Sequence, residues 1–182
     1  MRPGLEHKEP EPGALLVSVL AQNEELALAV ADRLEAEFGP LDLSSFWISF
    51  AHSRYYEAEM GDGLGRYILF FSEPMARELL VEAKLFTDCL EMEYAAGGGR
   101  RVNLDPGYLA LEHLILASTK AVPHRPYLGR GIYADLTLVY ECGQYIPLRW
   151  SYPDYSSDYV RALCSDVRAK ILKLRKQGTW RV

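Results

Sequence analysis

The spacing of apolar residues predicts that strands and helices alternate in the first half of the chain. Residues 14–21 form an unbroken apolar run with β-branched members, which is typical of a buried strand. A helix is predicted next, because Asn23 is a good N-cap and Gly39-Pro40 ends the pattern. Its apolar positions recur at helical spacing and are Leu26, Val30, Leu34 and Phe38.

Two further strands and a second helix are predicted upstream of the glycines at residues 97–99. Aromatic residues favour a strand at residues 46–50, and residues 66–71 form a clearer one. Pro74 suits the first turn of a helix, which must end before the glycines. The apolar stripe of this helix includes Leu79, Leu80, Ala83, Phe86 and Leu90.

The second half is predicted to contain strands and then a helix. Residues 113–119 fit either a strand or a helix, and we favour the strand. Residues 131–140 alternate between apolar and polar positions, as a strand with one buried face does. A turn then leads into residues 144–150 and completes a hairpin. A last helix, capped by Ser156 or Ser157, has an apolar stripe of Val160, Leu163, Val167, Ile171 and Leu174.

The predicted order of elements is β-α-β-β-α-β, followed by a β-hairpin and a helix. The first six elements match the split βαβ, ferredoxin-like arrangement. We therefore expect one α+β domain over residues 14–182, with a mixed or antiparallel sheet and with helices on one face. Residues 1–13 are polar and are expected to form a flexible, extended tail.

Composition excludes several classes of protein. The chain has 182 residues, of which 49% are apolar, and a net charge of −5, which fits neither a disordered nor a collagen-like chain. Its first residues lack the apolar core of a signal peptide, and no apolar run is long enough to cross a membrane. Three widely spaced cysteines form no disulfide or zinc pattern, and free thiols fit a reducing cytoplasm.

Charge is distributed unevenly along the chain. Residues 1–95 contain 18 acidic and 7 basic side chains, whereas residues 96–182 contain 7 acidic and 13 basic ones. Seven of these basic residues lie within 161–181. We favour solvated cations near the negative end of a helix. The alternative that stays open is RNA binding, through residues that include Arg168, Lys170, Lys173, Arg175 and Lys176.

Local motifs for nucleotides, metals and nucleophiles are absent from the sequence. There is no Gly-Lys pair and therefore no P-loop, and the glycine-rich stretches do not join a strand to a helix. No two histidines lie three or four residues apart, so a local zinc motif is not supported. A metal held in space by His124, Asp105 and Asp135 stays an open alternative. The cofactor, if any, is unknown.

Residues 100–155 contain more functional side chains than a fold requires. Arginine and lysine side chains neutralise phosphate or carboxylate groups, and histidine exchanges protons near neutral pH. The candidate acid–base residues are His124, Asp105 and Asp135. The candidate ligand-binding residues are Arg101, Asn103, Lys120, Arg125, Arg130, Tyr133 and Tyr155. In the structural alternative, Asp105-Pro106-Gly107 is a turn and the arginines pair with nearby aspartates.

Several short motifs together resemble one known family. They lie at residues 101–109, 116–120, 124–129, 131–134 and 152–155, with upstream motifs at residues 55–61 and at Lys84, Thr87 and Glu91. The combination resembles the uncharacterised prokaryotic family called domain of unknown function 4416, over about residues 15–160. The resemblance implies a compact cytoplasmic protein and brings no established activity.

Three functions compete at this point. The first is a binding domain, which could also be an enzyme, for an anionic small molecule such as a nucleotide or a phosphorylated metabolite. The second is a non-catalytic, homo-oligomeric interaction protein, because the chain contains 12 tyrosines and tyrosine is enriched at interfaces. The third is RNA binding through the basic C-terminal helix, and nucleic acid is the least favoured partner. No membrane partner is expected.

Overall fold

The computed structural model describes residues 8–50 and 56–182. The first half contains β1 (Gly13–Ala21), α1 (Glu24–Phe38), β2 (Leu41–Ser44), β3 (Ile48–Ser49), α2 (Glu57–Met60), β4 (Gly65–Met75), a 3-10 turn (Arg77–Leu79) and α3 (Leu80–Glu93). The second half contains β5 (Val102–Leu109), β6 (His113–Ser118), β7 (Tyr127–Gly129), β8 (Ile132–Glu141), β9 (Gln144–Pro147), α4 (Pro153–Ser156) and α5 (Asp158–Gln177).

The strands form one antiparallel sheet, which makes the fold a mixed α+β fold as expected. The strand order is β2-β4-β1-β5-β6-β8-β7, with β3 paired to β4 and β9 paired to β8. Two local signals work at α1, whereas Pro74, which is expected in the first turn of a helix, lies in β4 and pairs with Ala14 of β1. Asn23 accepts a hydrogen bond from the Leu26 amide (2.9 Å) and caps α1, and Gly39 ends that helix at a φ of +87°.

Helices cover both faces of the sheet, so the expectation that they cover one face is wrong. On one face α1 and α3 pack against residues such as Val17 and Val19 of β1. On the other face α5 packs against residues such as Leu16. All nine residues of β1 are buried. An unbroken apolar run suits a strand that is covered on both faces, because neither face then meets water.

The strand after α1 is displaced from its predicted place. Residues 46–50 were expected to form it, but β2 lies earlier, at Leu41–Ser44, and pairs with β4. The two residues of β3 are the strand within the predicted range. Trp47 there packs on the sheet instead, since it lies against Tyr67 of β4 with ring centroids 5.1 Å apart.

Strand β5 contains Asp105-Pro106-Gly107, which one of the two alternatives from the sequence made a turn. Pro106 pairs with Val17 of β1, and β5 meets β6 from Gly107 to Leu109. Proline is tolerated in a strand where no neighbour requires its missing N–H. A Cβ atom on Gly107 would lie 2.4 Å from the Ile115 carbonyl oxygen, so this glycine is needed for the close approach of β6.

The segment before β1 is fixed at its end nearest the sheet. The Trp180 indole donates a hydrogen bond to the Pro12 carbonyl (3.1 Å), and Arg77 donates one to the Glu11 carbonyl (2.7 Å). Glu11 also forms an ion pair with Arg175 (2.9 Å). Residues 1–7 of the predicted tail lie outside the described residues. Within the described ranges, the helices are too short or too polar to span a membrane.

Candidate functional site

The sheet has a gap between β5 and β6, and a cavity of about 320 Å³ lies at this gap. The two strands pair from Gly107 to Leu109 and separate toward the opposite end of the sheet. Beyond the separation β6 continues beside β8, and Val102 to Pro106 continue beside β1. The cavity is therefore bordered by β5 on one side and by β6 and β8 on the other.

Two side chains of α3 bind the open edge of β5. Glu91 accepts a hydrogen bond from the Leu104 amide (2.7 Å), and the Lys84 ammonium donates one to the Leu104 carbonyl (2.8 Å). Both charged residues are 5% exposed. A buried backbone N–H or C=O group needs a partner. Lys84 and Glu91 thus supply the hydrogen bonds that a neighbouring strand would otherwise make.

The Lys84 ammonium lies among carboxylates. It forms an ion pair with Asp88 (2.9 Å), and oxygens of Glu91 and Asp105 each lie 3.9 Å away. Burial alone would lower the pKa of Lys84, but Asp105, Glu91 and Asp88 together raise it above its ordinary value. Burial raises the pKa of Glu91, against the attraction of Lys84. Lys84 is therefore a cation at neutral pH and not a free amine nucleophile.

Arg100 extends this network along β5. Its Nε and Nη2 atoms each donate to a different oxygen of Glu59 at 2.8 Å, and its Nη1 atom donates to the Asn103 side-chain oxygen (3.0 Å). Asn103 in turn donates to Asp105 (2.8 Å). The hydrogen bond from Arg100 lowers the pKa of Glu59 to about 2. We call Lys84, Asp88, Glu91, Arg100, Asn103 and Asp105 the β5 wall.

The opposite side, the β6 wall, consists of Ser118, Lys120, Arg125 and Asp135. Nε and Nη2 of Arg125 donate to one Asp135 oxygen (3.0 and 2.7 Å), and Nη1 donates to the Ser118 hydroxyl (2.7 Å). The other Asp135 oxygen is buried and has no hydrogen-bond partner among the described residues. His124 lies 3.9 Å from that oxygen and stacks on Trp150.

A third side of the cavity combines aromatic rings with a buried ion pair. Arg66 of β4 pairs with Asp154 (2.8 Å) and lies over the Phe50 ring, 4.9 Å from its centroid. Tyr155 is fully buried beside Arg66, and burial raises the pKa of its hydroxyl. Burial also raises the pKa of Tyr56. These phenols are neutral hydrogen-bonding groups at neutral pH.

The cavity brings together six of the ten candidate residues. The six that line it are Asn103, Asp105, Lys120, Arg125, Asp135 and Tyr155. His124 lies behind Asp135, and Arg101 hydrogen-bonds to Gln22 (3.1 Å) instead. Arg130 is exposed at the turn between β7 and β8, and Tyr133 packs on Tyr127. These last four do not line the cavity, and the acid–base roles given to His124, Asp105 and Asp135 stay predictions.

Sequence reasoning missed Arg66 and the α3 residues of the β5 wall. Lys84, Thr87 and Glu91 are buried residues spaced three and four apart, so they share one face of α3. Polar residues at buried helical positions were the available signal, because such groups need partners that only tertiary structure supplies.

The metal set that the sequence left open as an alternative is not assembled. Asp105 belongs to the β5 wall and Asp135 to the β6 wall, while His124 approaches only Asp135. Among residues 8–50 and 56–182, no group of three or more His, Cys, Asp and Glu side chains is arranged to hold a metal ion. The positive charge between the carboxylates of the β5 wall is supplied by Lys84.

The cations of α5 largely contact the protein itself. Arg168 donates to the Leu111 carbonyl (2.9 Å) and lies 3.5 Å over the Tyr140 ring. Lys170 pairs with Asp42, Arg161 with Asp158, and Arg175 with Glu11. These contacts reduce the charge that the helix offers to an RNA backbone.

Comparison with known proteins identifies the family. A family model described as "Domain of unknown function (DUF4416)" matches residues 11–171. The chain belongs to this family. No curated protein and no solved structure matches it. The DUF4416 match includes both walls of the cavity and ends within α5. Of the upstream motif at residues 55–61, Tyr55 lies outside the described residues.

Proposed function

We propose that the chain is a small-molecule-binding domain whose site is the cavity between the β5 wall and the β6 wall. The ligand carries an anionic group and belongs to a class such as nucleotides or phosphorylated metabolites. One observation carries the proposal: five cations from four segments of the chain line one cavity, namely Arg66, Lys84, Arg100, Lys120 and Arg125. Convergent polar groups in a formed cavity are the usual mark of a ligand site.

The β6 wall is the better place for the anion. It contains two cations, Lys120 and Arg125, against one carboxylate, Asp135. Arg125 is fixed by its bonds to Asp135 and Ser118, so its position costs no ordering on binding. Lys120 is exposed two residues after the end of β6, which places a second positive charge near this fixed group.

The test is a thermal-shift screen of the full chain with inorganic phosphate, ribose 5-phosphate and adenosine monophosphate. A compound at 100 times its dissociation constant should add about 2.7 kcal/mol of apparent stability. Lys120→Glu should weaken binding by about tenfold or more, because it reverses a charge next to the anion. Lys173→Glu, which reverses an exposed charge on α5, should bind as the unchanged chain does.

A negative screen has a clear meaning. If none of the three compounds stabilises the chain, or if Lys120→Glu and Lys173→Glu bind them equally well, the anion site on the β6 wall is rejected.

We also propose that the fold contains a ferredoxin-like unit. Strands β2, β4, β1 and β5 lie side by side in that order, with α1 and α3 on one face. This order supports a split βαβ, ferredoxin-like unit, with the strands from β6 onward and α5 as an extension. We further propose a cytoplasmic location, because the three cysteines are free thiols.

A homo-oligomer is the second candidate function. Strand β7 pairs with β8 and exposes Tyr127 (62%) and Leu128 (44%). An edge strand with exposed apolar side chains favours pairing with another chain. Light scattering should then give a mass above that of one chain, and Leu128→Lys should return it to the monomer value. A monomer at every concentration removes this candidate.

A further inference from the structure

The two ends of the cavity differ in charge, and the difference constrains the ligand. The β5 wall contains two cations, Lys84 and Arg100, and three carboxylates, those of Asp88, Glu91 and Asp105. The β6 wall has the opposite balance, with one carboxylate for its two cations. An anionic group is attracted to the β6 wall and repelled from the β5 wall. The part of the ligand that faces the β5 wall is therefore uncharged and polar.

Lys84 has one hydrogen-bond donor to spare. An ammonium group carries three N–H bonds. Two of them are used by the Leu104 carbonyl (2.8 Å) and Asp88 (2.9 Å). The oxygens of Glu91 and Asp105 lie 3.9 Å away, which is too long for a hydrogen bond. Within the described part of the chain, the third donor therefore lacks an acceptor at hydrogen-bond distance.

A ligand hydroxyl fits between Lys84 and Asp105. Its oxygen can accept from the ammonium and donate to the carboxylate, because a hydroxyl is both donor and acceptor. With both contacts at about 2.8 Å, a separation of 3.9 Å corresponds to an angle of about 90° at the hydroxyl oxygen. An ionised phosphoryl oxygen accepts but cannot donate, so at this place it would be repelled by the Asp105 carboxylate.

The size of the cavity limits the ligand further. About 320 Å³ is near the lower end of the range for small-molecule sites, which is roughly 300–1,000 Å³. This volume suits one ring with one phosphoryl group. A triphosphate would also place several negative charges in a cavity whose five cations already face four carboxylates.

We infer that the ligand is a monophosphorylated compound with several hydroxyl groups, of the sugar-phosphate type, bound with its phosphoryl group on the β6 wall and a hydroxyl between Lys84 and Asp105. This inference rests on the proposed function and specifies its ligand. Asp105 is then the residue that selects for hydroxyl groups, and Lys120 is a residue that selects for the phosphoryl group.

Calorimetric titration of the full chain tests the inference with three probes. Ribose 5-phosphate has both features, pentyl phosphate has the phosphoryl group without hydroxyls, and tripolyphosphate has the charge alone. Ribose 5-phosphate should bind about tenfold or more tightly than either of the others, since a hydrogen bond to a charged group has about that effect. Asp105→Ala should reduce its advantage over pentyl phosphate to about threefold or less, whereas Asp166→Ala, an exposed change on α5, should preserve it.

The outcomes distinguish the hydroxyl-selecting role of Asp105 from the anion site on the β6 wall. If pentyl phosphate or tripolyphosphate binds as tightly as ribose 5-phosphate, the hydroxyl-selecting role of Asp105 is overturned and the anion site stands. If no phosphorylated probe binds, both are overturned. Asp105→Asn, which keeps the shape of the side chain and its bond to Asn103, replaces Asp105→Ala if circular dichroism shows that the alanine variant is unfolded.

Discussion

On the β5 wall, charged side chains of a helix complete a strand, whereas on the β6 wall they hold a loop. Lys84 and Glu91 hydrogen-bond to both backbone groups of Leu104, and α3 packs against β5 through the core. Arg125 instead ties the loop after β6 to Asp135 of β8 and to Ser118. The β5 wall is therefore part of the folded core, and the β6 wall is fastened to its edge.

The buried charges of the two walls therefore stabilise different things: those of the β5 wall satisfy the backbone of a strand, and those of the β6 wall hold a surface loop. A charge that satisfies buried backbone groups cannot be removed without depriving them of their hydrogen-bond partners. A charge that holds a surface loop can be replaced by water when the loop opens. Loss of the first should unfold the whole domain, and loss of the second should loosen one segment.

Lys84→Met breaks the β5 wall and should have the largest effect. Methionine keeps the length of the side chain but leaves the Asp88 carboxylate without its cation and the Leu104 carbonyl without its donor, and Glu91 keeps only Arg100. Breaking a buried ion pair in this way costs about 3–5 kcal/mol in the free energy of unfolding. Urea unfolding at neutral pH measures it.

The control for this variant is Lys173→Met, which removes an exposed lysine of α5 and should change stability by about 0.5 kcal/mol or less. A loss below about 1 kcal/mol for Lys84→Met would contradict the view that the lysine completes the edge of β5.

Gly107→Ala tests the point from which the two walls separate. The new Cβ atom would lie 2.4 Å from the Ile115 carbonyl oxygen, and that backbone atom must move. We expect a loss of about 2 kcal/mol, as for overpacked interiors, together with faster amide exchange along β6. Urea unfolding and hydrogen exchange measure these two effects.

A glycine in open space serves as the comparison. At Gly98 a Cβ atom meets nothing within 4 Å, but φ is +83°. Gly98→Ala should cost only local backbone strain, about 1 kcal/mol, without faster exchange in β6. Equal exchange in the two variants would show that β6 does not need the glycine.

The sequence predicts the elements whose signals are local. Residues 14–21 are a strand whose apolar run matches its burial, and Asn23 and Gly39 mark the ends of α1 through capping chemistry. Residues 131–140 are also the strand that alternation predicts, although Asp135 and Thr137 of the polar face are buried. The hairpin of β8 and β9 was found in the same way. In each case the residues that specify the element lie inside it or next to it.

The sequence does not predict β5, because its residues carry turn chemistry. Asn103, Asp105, Pro106 and Gly107 are common in turns. Here the polar side chains of Asn103 and Asp105 face the cavity, and Gly107 accommodates β6. These reasons depend on partners far away in the chain, so tertiary context overrides the local preference.

The candidate site likewise contains residues that local sequence patterns identify and residues that they do not. Arg125 and Asp135 were found because they are ten residues apart in a segment that is rich in functional side chains. Arg125 lies in the loop after β6 and pairs with Asp135 of β8. Arg66 was missed because it stands alone among apolar neighbours in sequence, and Lys84 was named only in a family motif because its spacing to Asp88 is that of an ordinary helical ion pair. Their partners, Asp154 and the β5 backbone, lie 20 or more residues away.

Arg125→Met breaks the β6 wall and should cost less than Lys84→Met does. It removes the hydrogen bonds to Asp135 and Ser118. The Arg125 and Asp135 side chains are as buried as Lys84, but they lie beneath the largely exposed loop at residues 119–126, so we expect local opening of this loop to bring water to Asp135. We expect a loss of about 2 kcal/mol, the usual effect of hydrogen bonds to a charged group. Hydrogen exchange should quicken in this loop and not in α3.

Arg130→Met is the matched variant, since Arg130 is an exposed arginine at the next turn and its nearest carboxylate, Glu82, is 3.7 Å away. It should leave stability and exchange unchanged. If Arg125→Met is instead as destabilising as Lys84→Met and quickens exchange throughout the sheet, the two walls do not differ as argued.

The smallest effect concerns the outer end of the β5 wall, where Glu59 binds Arg100. Its pKa is lowered from 4.5 to about 2, chiefly by the hydrogen bond from Arg100. A carboxyl with a lower pKa in the folded state contributes stability above pH 4.5 and loses it as the pH falls toward 2. In Glu59→Gln the urea midpoint should therefore fall less steeply as the pH is lowered from 4.5 toward 2. The effect should be small because the ion pair is partly exposed. Glu93→Gln breaks the more exposed ion pair with Arg33 and should leave the fall of the urea midpoint at acidic pH unchanged. If both variants reduce this fall equally, the Arg100 network adds nothing to stability at acidic pH.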